Sequence, residues 1–233
     1  MGRFDGRNIL VAGGAGALGA SVSLAFLAEG AAVTVTGRSR EPFERLRASA
    51  GAAGARLAFH AADAGDPAQA AAAVAAAARG GRLHAVVSTV GGWAGGAPLA
   101  DDPPERLAAM VAANLVPTHA LLRAAAPALA GGGAFVEIAS LAAVGPQPGQ
   151  AAYAATKAAA LSLVLSAAEE LRARGVRVNA VLPGTMDTEA NRRAMPGADR
   201  QGWVSTQAVA STVLFLCSEE ASAVSGAAIP VRR

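Results

Sequence analysis

Seven short apolar segments, rich in β-branched residues, alternate with helical stretches from one end of the chain to the other. The strand-like segments are Asn8 to Ala12, Ala32 to Thr36, Arg56 to His60, Ala85 to Thr89, Ala134 to Ala139, Arg177 to Leu182 and Ala227 to Val231. Between them lie helical patterns over Leu18 to Glu29, Pro42 to Ala50, Pro67 to Arg79, Pro104 to Leu129, Ala151 to Arg174 and Thr206 to Ser218. The strands are continuously apolar rather than alternating, so the sheet must be covered on both faces, which calls for parallel strands joined by crossover helices. The expected architecture is therefore α/β, a doubly wound parallel sheet of about seven strands with helices on both faces and right-handed crossovers. Glycines at Gly30, Gly80 and Gly81, Gly131 to Gly133, and Gly175 punctuate the junctions, where turns and helix ends need them. At 233 residues, with no internal repeat and no linker, residues 1–233 read as a single domain. The simple run Ala68 to Ala78 reads as helix, because alanine is the best helix former.

Composition narrows the function classes. The hydrophobic fraction of 53% comes largely from alanine, and no uninterrupted apolar run reaches the roughly 18 residues that a membrane span needs. No membrane helix is expected. Met1 to Asp5 lead almost directly into the first strand without an apolar leader, so a cytoplasmic enzyme is expected. The net charge of +3 comes from scattered arginines with no basic block and no interleaved aromatics, which argues against nucleic-acid binding. His60, His84 and His119 are far apart and lack ligand-like spacing, so no metal is expected. The lone Cys217 excludes an internal disulfide and reads as a buried small hydrophobe.

Three motifs carry chemistry. The first, Ala12-Gly13-Gly14-Ala15-Gly16-Ala17-Leu18-Gly19, lies between the first strand and the first helix. There glycines permit a tight turn and close backbone approach, and the helix N-terminus offers free N–H groups to a pyrophosphate. This is the dinucleotide-binding position of a Rossmann-like sheet, with Gly13, Gly16, Leu18 and Gly19 as contacts. The second motif, Thr36-Gly37-Arg38-Ser39-Arg40, ends the second strand. An acidic residue there would accept from a ribose 2′-hydroxyl, whereas Arg38, with Ser39 beside it, suits a 2′-phosphate, so NADPH is expected over NADH. The third pairs the only tyrosine, Tyr153, with the only lysine, Lys157, at spacing i, i+4 on one helix face. A phenol is a poor proton donor or acceptor at neutral pH until a nearby cation stabilises its anion.

Together these residues resemble the classical short-chain dehydrogenase/reductase family along essentially the whole chain. The resemblance implies that Tyr153 is the general acid in reduction, that Ser140 polarises the carbonyl oxygen, and that Lys157 lowers the tyrosine pKa while holding the nicotinamide ribose. It implies that Asn114 holds a water in a proton relay; Pro117, inside the predicted helix, leaves the carbonyl of Ala113 without its usual donor and loosens the backbone there. Asp63 resembles an adenine-contacting aspartate, Gly91 belongs to the turn after the fourth strand, and Pro183, Gly184 and Thr188 belong to the loop at the nicotinamide end. Departures from the family pattern are Ala12 for threonine, Ala17 for the middle glycine, and Ser88-Thr89-Val90-Gly91 for Asn-Asn-Ala-Gly. Ser88 replaces only part of an asparagine's hydrogen bonding.

A narrower resemblance concerns the substrate. Gly91-Gly92-Trp93-Ala94-Gly95-Gly96 and the segment from Leu182 to Trp203 are similar to the corresponding parts of the dihydropteridine reductases. Trp93 is then placed either to stack on a flat heterocycle at the site mouth or to pack under the following loop, with Met186 and Trp203 as further substrate contacts and residues 185–203 as a substrate lid that orders on binding. Ser140 and Gly37-Arg38 depart from that group. The expected activity is NADPH-dependent reduction of a small-molecule ketone or aldehyde, with reduction of a quinonoid pterin or related C=N heterocycle as the alternative. A cofactor-binding member that is non-redox or catalytically inactive is the third possibility. The resemblance also implies a homotetramer or homodimer.

Overall fold

The computed structural model describes residues 2–129 and 131–233. Seven strands, β1 (Asn8–Ala12), β2 (Ala32–Gly37), β3 (Leu57–Ala61), β4 (Leu83–Ser88), β5 (Ala134–Ile138), β6 (Arg177–Pro183) and β7 (Ala228–Val231), form one sheet in the order β3-β2-β1-β4-β5-β6-β7. Every pairing is parallel. This is the doubly wound arrangement expected from the unbroken apolar strands. The helices are α1 (Ala17–Ala28), α2 (Glu41–Ser49), α3 (Pro67–Ala78), α4 (Arg106–Met110), α5 (Val116–Ala128), α6 (Ala151–Leu171), α7 (Glu189–Ala194) and α8 (Thr206–Cys217).

Two apolar clusters sandwich the sheet. On one face α1 and α8 pack together over Ile9, Val11, Val33, Val35, Val136 and Val181. On the other, α3, α5 and α6 cover Leu10, Val86, Phe135, Val178 and Ala180. Phe26 of α1 is fully buried and meets Phe4 edge to face at 4.9 Å, which pins the N-terminal segment to the first helix.

Local chemistry sets the helix ends. Asp66 caps α3 by accepting from the N–H groups of Ala68 (2.8 Å) and Gln69 (3.0 Å), with Pro67 in the first turn. Arg79, expected to be the last helical residue, instead adopts the left-handed cap at φ 51°, and its guanidinium bonds back to the Val33 carbonyl (3.2 Å). Farther along the chain α6 closes through one tight turn, Arg172–Arg174, onto Gly175 at φ 69°.

The predicted single helix from Pro104 to Leu129 is interrupted. Between α4 and α5 the backbone widens into a π-turn over Val111–Leu115, where the Val116 N–H reaches back five residues to the Val111 carbonyl. Pro117 explains the interruption. Lacking an N–H, it cannot bond the Ala113 carbonyl, so the regular ladder has nothing to hold it closed. A second difference is α7, a short helix inside a stretch expected to be loop, capped by the Thr188 hydroxyl accepting from Asn191 N (3.2 Å).

The helical stretches Arg106–Ala128 and Ala151–Arg174 are, by length and composition alone, apolar enough to cross a membrane. Isolated polar residues interrupt both, which is why neither contains an uninterrupted apolar run. Both lie against the sheet, with Leu121, Leu122 and Ala125 of one and Leu161, Val164 and Ala168 of the other buried in the second cluster.

Replacing Phe26 with alanine removes a fully buried ring and its edge contact with Phe4. Denaturant unfolding should show a loss of about 3–5 kcal/mol, the usual cost of emptying such a core site.

Candidate active site

The winding of the sheet reverses between β1 and β4, and ligand crevices in such folds open there, at the carboxyl ends of the strands. A cleft of about 900 Å³ occupies this place. Its floor is the glycine turn after β1. Gly13 sits at φ 74°, and a Cβ there would lie 2.9 Å from Thr89 Oγ1; a Cβ on Gly19 would lie 2.2 Å from the Gly13 carbonyl oxygen. Gly16 begins α1 without any side-chain cap, which leaves the first-turn N–H groups and the positive helix end facing the cleft. The Leu18 side chain is buried in the core, which leaves its backbone at the turn to meet a cofactor.

Arg38 and Ser39 are exposed on the cleft wall past the end of β2. Neighbouring Arg40 is tied to Glu44 at 2.8 Å, whereas Arg38 makes no ion pair among the described residues. Asp63 lies on the wall after β3, where its carboxylate accepts from the Gly65 N–H (2.9 Å). The uncapped helix end and the close-packed glycines together fit a dinucleotide with its pyrophosphate over α1.

The chemical cluster lies next to this cleft, behind Gly91, which lines it. Ser140 follows β5 in extended conformation, its Oγ accepting from Ala142 N (3.1 Å). Tyr153 and Lys157 stand one turn apart on α6. Burial raises the Tyr153 phenol above its ordinary value, and the facing Ser140 hydroxyl opposes that shift. Lys157 is buried, and its Nζ donates to the Ile138 carbonyl of β5 at 2.9 Å. In this geometry the ammonium is turned toward β5, and burial is the larger influence on the tyrosine.

Asn114 sits in the π-turn, fully buried. Its Oδ1 accepts from Gly92 N (3.0 Å), its Nδ2 donates to Thr156 Oγ1 (3.3 Å), and its own carbonyl accepts from Thr118 Oγ1 (2.8 Å). The widened turn is thus clasped to both α6 and the turn after β4. Gly91 makes that approach possible, since a Cβ there would lie 2.8 Å from Asn114 Oδ1 and 3.2 Å from Lys157 Nζ.

Glu137 was not among the expected site residues. It lies in the middle of β5 and is wholly buried, and although the Ser88 and Thr118 hydroxyls face its carboxyl, neither oxygen makes a hydrogen bond of full geometry. Burial pushes its pKa up to about 7, while the Lys157 charge and the facing Ser88 and Thr118 hydroxyls pull the other way. The same burial lowers Lys157, with the Glu137 charge opposing it. The signal was present in the sequence as one acid inside the apolar strand Ala134-Phe-Val-Glu137-Ile-Ala139.

A second cavity, of about 560 Å³, opens between the loop after β4 and the loop before α6. Trp93 is 58% exposed on its wall and donates from Nε1 to Gln150 Oε1 at 2.7 Å, so the ring is displayed at the mouth rather than packed under a loop. The other two expected substrate residues are placed differently from Trp93. Trp203 is buried, with the Arg200 guanidinium 5.8 Å from its ring centre, and Met186 packs against the core while bridging to Val204. Pro183 ends β6, and Gly184 N extends its ladder to the Val231 carbonyl (2.9 Å). Thr188 is spent on capping α7, and the expected lid carries its own clasp, a two-pronged Arg192–Asp187 contact at 2.6 and 2.8 Å.

Two groups are chemically quiet. Burial raises Cys217 to about 12, which keeps it a thiol. Among the described residues no three His, Cys, Asp or Glu side chains converge as a metal site would require.

A family profile described as "Enoyl-(Acyl carrier protein) reductase" matches residues 13–232. The chain is 32% identical to the 2,5-dichloro-2,5-cyclohexadiene-1,4-diol dehydrogenase LinX of Sphingobium indicum, over 98% of this chain and 96% of the relative. A solved structure of a short-chain type dehydrogenase/reductase from Mycobacterium ulcerans is 32% identical and superposes with a TM-score of 0.92, covering 98% of this chain and 89% of that one. The structure of ElxO with NADP bound shares the fold at a TM-score of 0.90 and 24% identity, covering 97% of this chain and 96% of that one.

The folded chain holds the Glu137 proton more tightly than the unfolded chain does. Its contribution to stability is full below about pH 4.5 and is lost as pH rises through about 7. Glu137→Gln should therefore stabilise the fold at about pH 8, by about 3 kcal/mol at most and with a raised melting temperature, and change it little at about pH 5. Calorimetry at the two pH values checks the sign.

Proposed function

The chain belongs to the classical short-chain dehydrogenase/reductase family, and on that premise we propose that it is an NADPH-dependent oxidoreductase that reduces the carbonyl of a small molecule. The observation that carries this reading is that Ser140 and Tyr153 face one another, with buried Lys157 one turn along α6 beside Gly91, next to a cleft whose floor is an uncapped, glycine-lined helix start. When bound, the nicotinamide dinucleotide supplies the hydride.

This chain's own residues do the rest. Tyr153, facing the Ser140 hydroxyl, is the group placed to deliver a proton to a developing alkoxide. Ser140, held by the Ala142 N–H, presents its hydroxyl to the same oxygen and stabilises the charge that forms there. Lys157 is fixed between α6 and β5, beside Gly91 and Asn114, where a ribose would lie within its reach. The first-turn N–H groups of α1 take the pyrophosphate, Asp63 the adenine side and Arg38 the 2′-phosphate. The ElxO structure holds NADP, which supports this choice of cofactor.

Exposed Trp93 favours a second reading, a flat heterocycle such as a quinonoid dihydropterin stacked at the mouth. Initial rates of NADPH oxidation with quinonoid dihydropterin, aldehydes, cyclic ketones, 3-oxoacyl thioesters and quinones decide between the readings. Turnover of a carbonyl supports the first and preference for the pterin the second. NADPH binding without oxidation by any of them would overturn both.

Tyr153→Phe should reduce turnover by about 10²- to 10⁴-fold, the range of general acid catalysis, and leave NADPH affinity nearly unchanged in fluorescence titration. Arg38→Ala should weaken NADPH by roughly 10-fold or more through loss of a charged hydrogen bond, with little change for NADH. Equal losses for the two cofactors would remove Arg38 from that role.

A further inference from the structure

Among the described residues, no charged side chain lines the cavity between the loop after β4 and the loop before α6. Its walls are apolar (Trp93, Ala97, Pro98, Leu99, Pro148 and Ala151), and Gln147 and Gln150 bring the side-chain amides. An ionised group placed there would lose water and meet no opposite charge, so the cavity suits an uncharged, largely apolar occupant. It adjoins the reacting groups through α6. Gln150 starts that helix and Tyr153 follows three residues later, a spacing that brings Cβ atoms to about 5–6 Å.

Gln150 is held in one orientation. An indole N–H donates and never accepts, so the atom that Trp93 Nε1 meets at 2.7 Å is the amide oxygen Oε1. Gln150 is thereby left with its NH₂ to offer the cavity it lines, and among the described residues Nε2 makes no hydrogen bond. The surrounding backbone is built for this pair. A Cβ on Gly95 would lie 2.8 Å from the Gly149 carbonyl oxygen, 3.1 Å from Gln150 Cγ and 3.2 Å from Trp93 Cζ2, so a side chain there would force the two loops apart. Gly96 N donates to the same Gly149 carbonyl at 2.7 Å. The loops are locked together, and the orientation of the amide is locked with them.

We propose that Gln150 is a specificity-determining residue whose Nε2 donates to a neutral acceptor, an ether, carbonyl or hydroxyl oxygen, on the far side of an uncharged, ring-bearing substrate. Trp93 is the positioning residue that orients the amide. The inference rests on the carbonyl-reduction reading, with the reacting oxygen at Ser140 and Tyr153. The substrate ring then spans from these groups into the cavity, along the exposed indole. No bond is made or broken at Gln150. A substrate without the acceptor leaves its N–H donors facing an apolar ring and is selected against for that reason.

The test is NADPH-dependent reduction of 4-methoxyacetophenone, 4-ethylacetophenone and 4-acetylbenzoate by the full chain. The first two differ by an ether oxygen in place of a methylene. Their ratio of kcat/KM, methoxy over ethyl, should be about 3- to 10-fold higher in the wild type than in Gln150→Met, the span of one net hydrogen bond. Comparing proteins on the same pair cancels the intrinsic reactivity of the ketones. Trp93→Phe keeps a ring, removes the N–H and should lower the ratio by about 2-fold or more, whereas Gln147→Met should retain it. The anionic benzoate should fall about 10-fold or more below the methoxy ketone in the wild type. A ratio indifferent to Gln150→Met, or one that falls in Gln147→Met instead, overturns the assignment to Gln150. A ratio kept in full by Trp93→Phe overturns the orienting role, and benzoate turnover equal to that of the methoxy ketone overturns the preference for an uncharged substrate. Reduction of none of the three would count against the carbonyl reading itself. Binding would still decide the inference, because Trp203→Phe leaves Trp93 as the one tryptophan of the chain. Quenching of its fluorescence with NADP⁺ present should show the methoxy-over-ethyl preference and its loss on adding Gln150→Met; the same preference with and without Gln150 overturns the proposal.

Discussion

Burial of both faces of the central strands is the constraint from which the rest of the molecule follows. Strands β1, β4, β5 and β6 are almost wholly enclosed between the α1–α8 layer and the α3–α5–α6 layer. A sheet covered in this way is built from crossover connections, and these make all strands point in one direction. The glycine turn, Arg38, Asp63, Gly91, Ser140 and the Pro183–Thr188 segment therefore all emerge at one edge. No residue of the site has to be brought there separately; sheet order alone assembles the crevice between β1 and β4.

Within that frame one irregularity does most of the positioning. Pro117 cannot close the helical ladder, the backbone widens over Val111–Leu115, and Asn114 is turned toward Gly92 and Thr156. The turn after β4, the widened helix and α6 are thereby joined through one amide. Gly91 is as necessary as the asparagine, because a side chain at that position would push apart the groups that meet there.

The strands were legible because their burial is two-sided and leaves no alternation to misread; each observed strand falls within two residues of its expected limits. The glycine turn and the Tyr153–Lys157 pair were legible because their spacing is local. What escaped was whatever depends on contacts distant in sequence. The break after Met110 follows from Pro117, yet its form as a π-turn depends on the clasp of Asn114 across to Gly92 and Thr156. Trp203 and Met186 are expected at the substrate from the resemblance of their segment, whereas their burial and packing depend on the bridge between Met186 and Val204 and on the core beyond it. The direction of the Lys157 side chain was hidden for the same reason, since its partner is a backbone carbonyl 19 residues upstream.

The grip of Lys157 on that carbonyl has an evolutionary consequence. Ser140 lies two residues beyond Ile138 at the end of the same strand, and Tyr153 lies one turn before Lys157 on the same helix. A single hydrogen bond between a core strand and a core helix thus keeps the serine and the tyrosine in register, and no part of that clamp belongs to a surface loop. The walls carrying Trp93 and residues 185–203 are free to diverge in length and chemistry without disturbing the alignment of the reacting groups. A scaffold of this kind separates what a lineage must keep from what it can vary, so new substrates are reached by changing the walls alone.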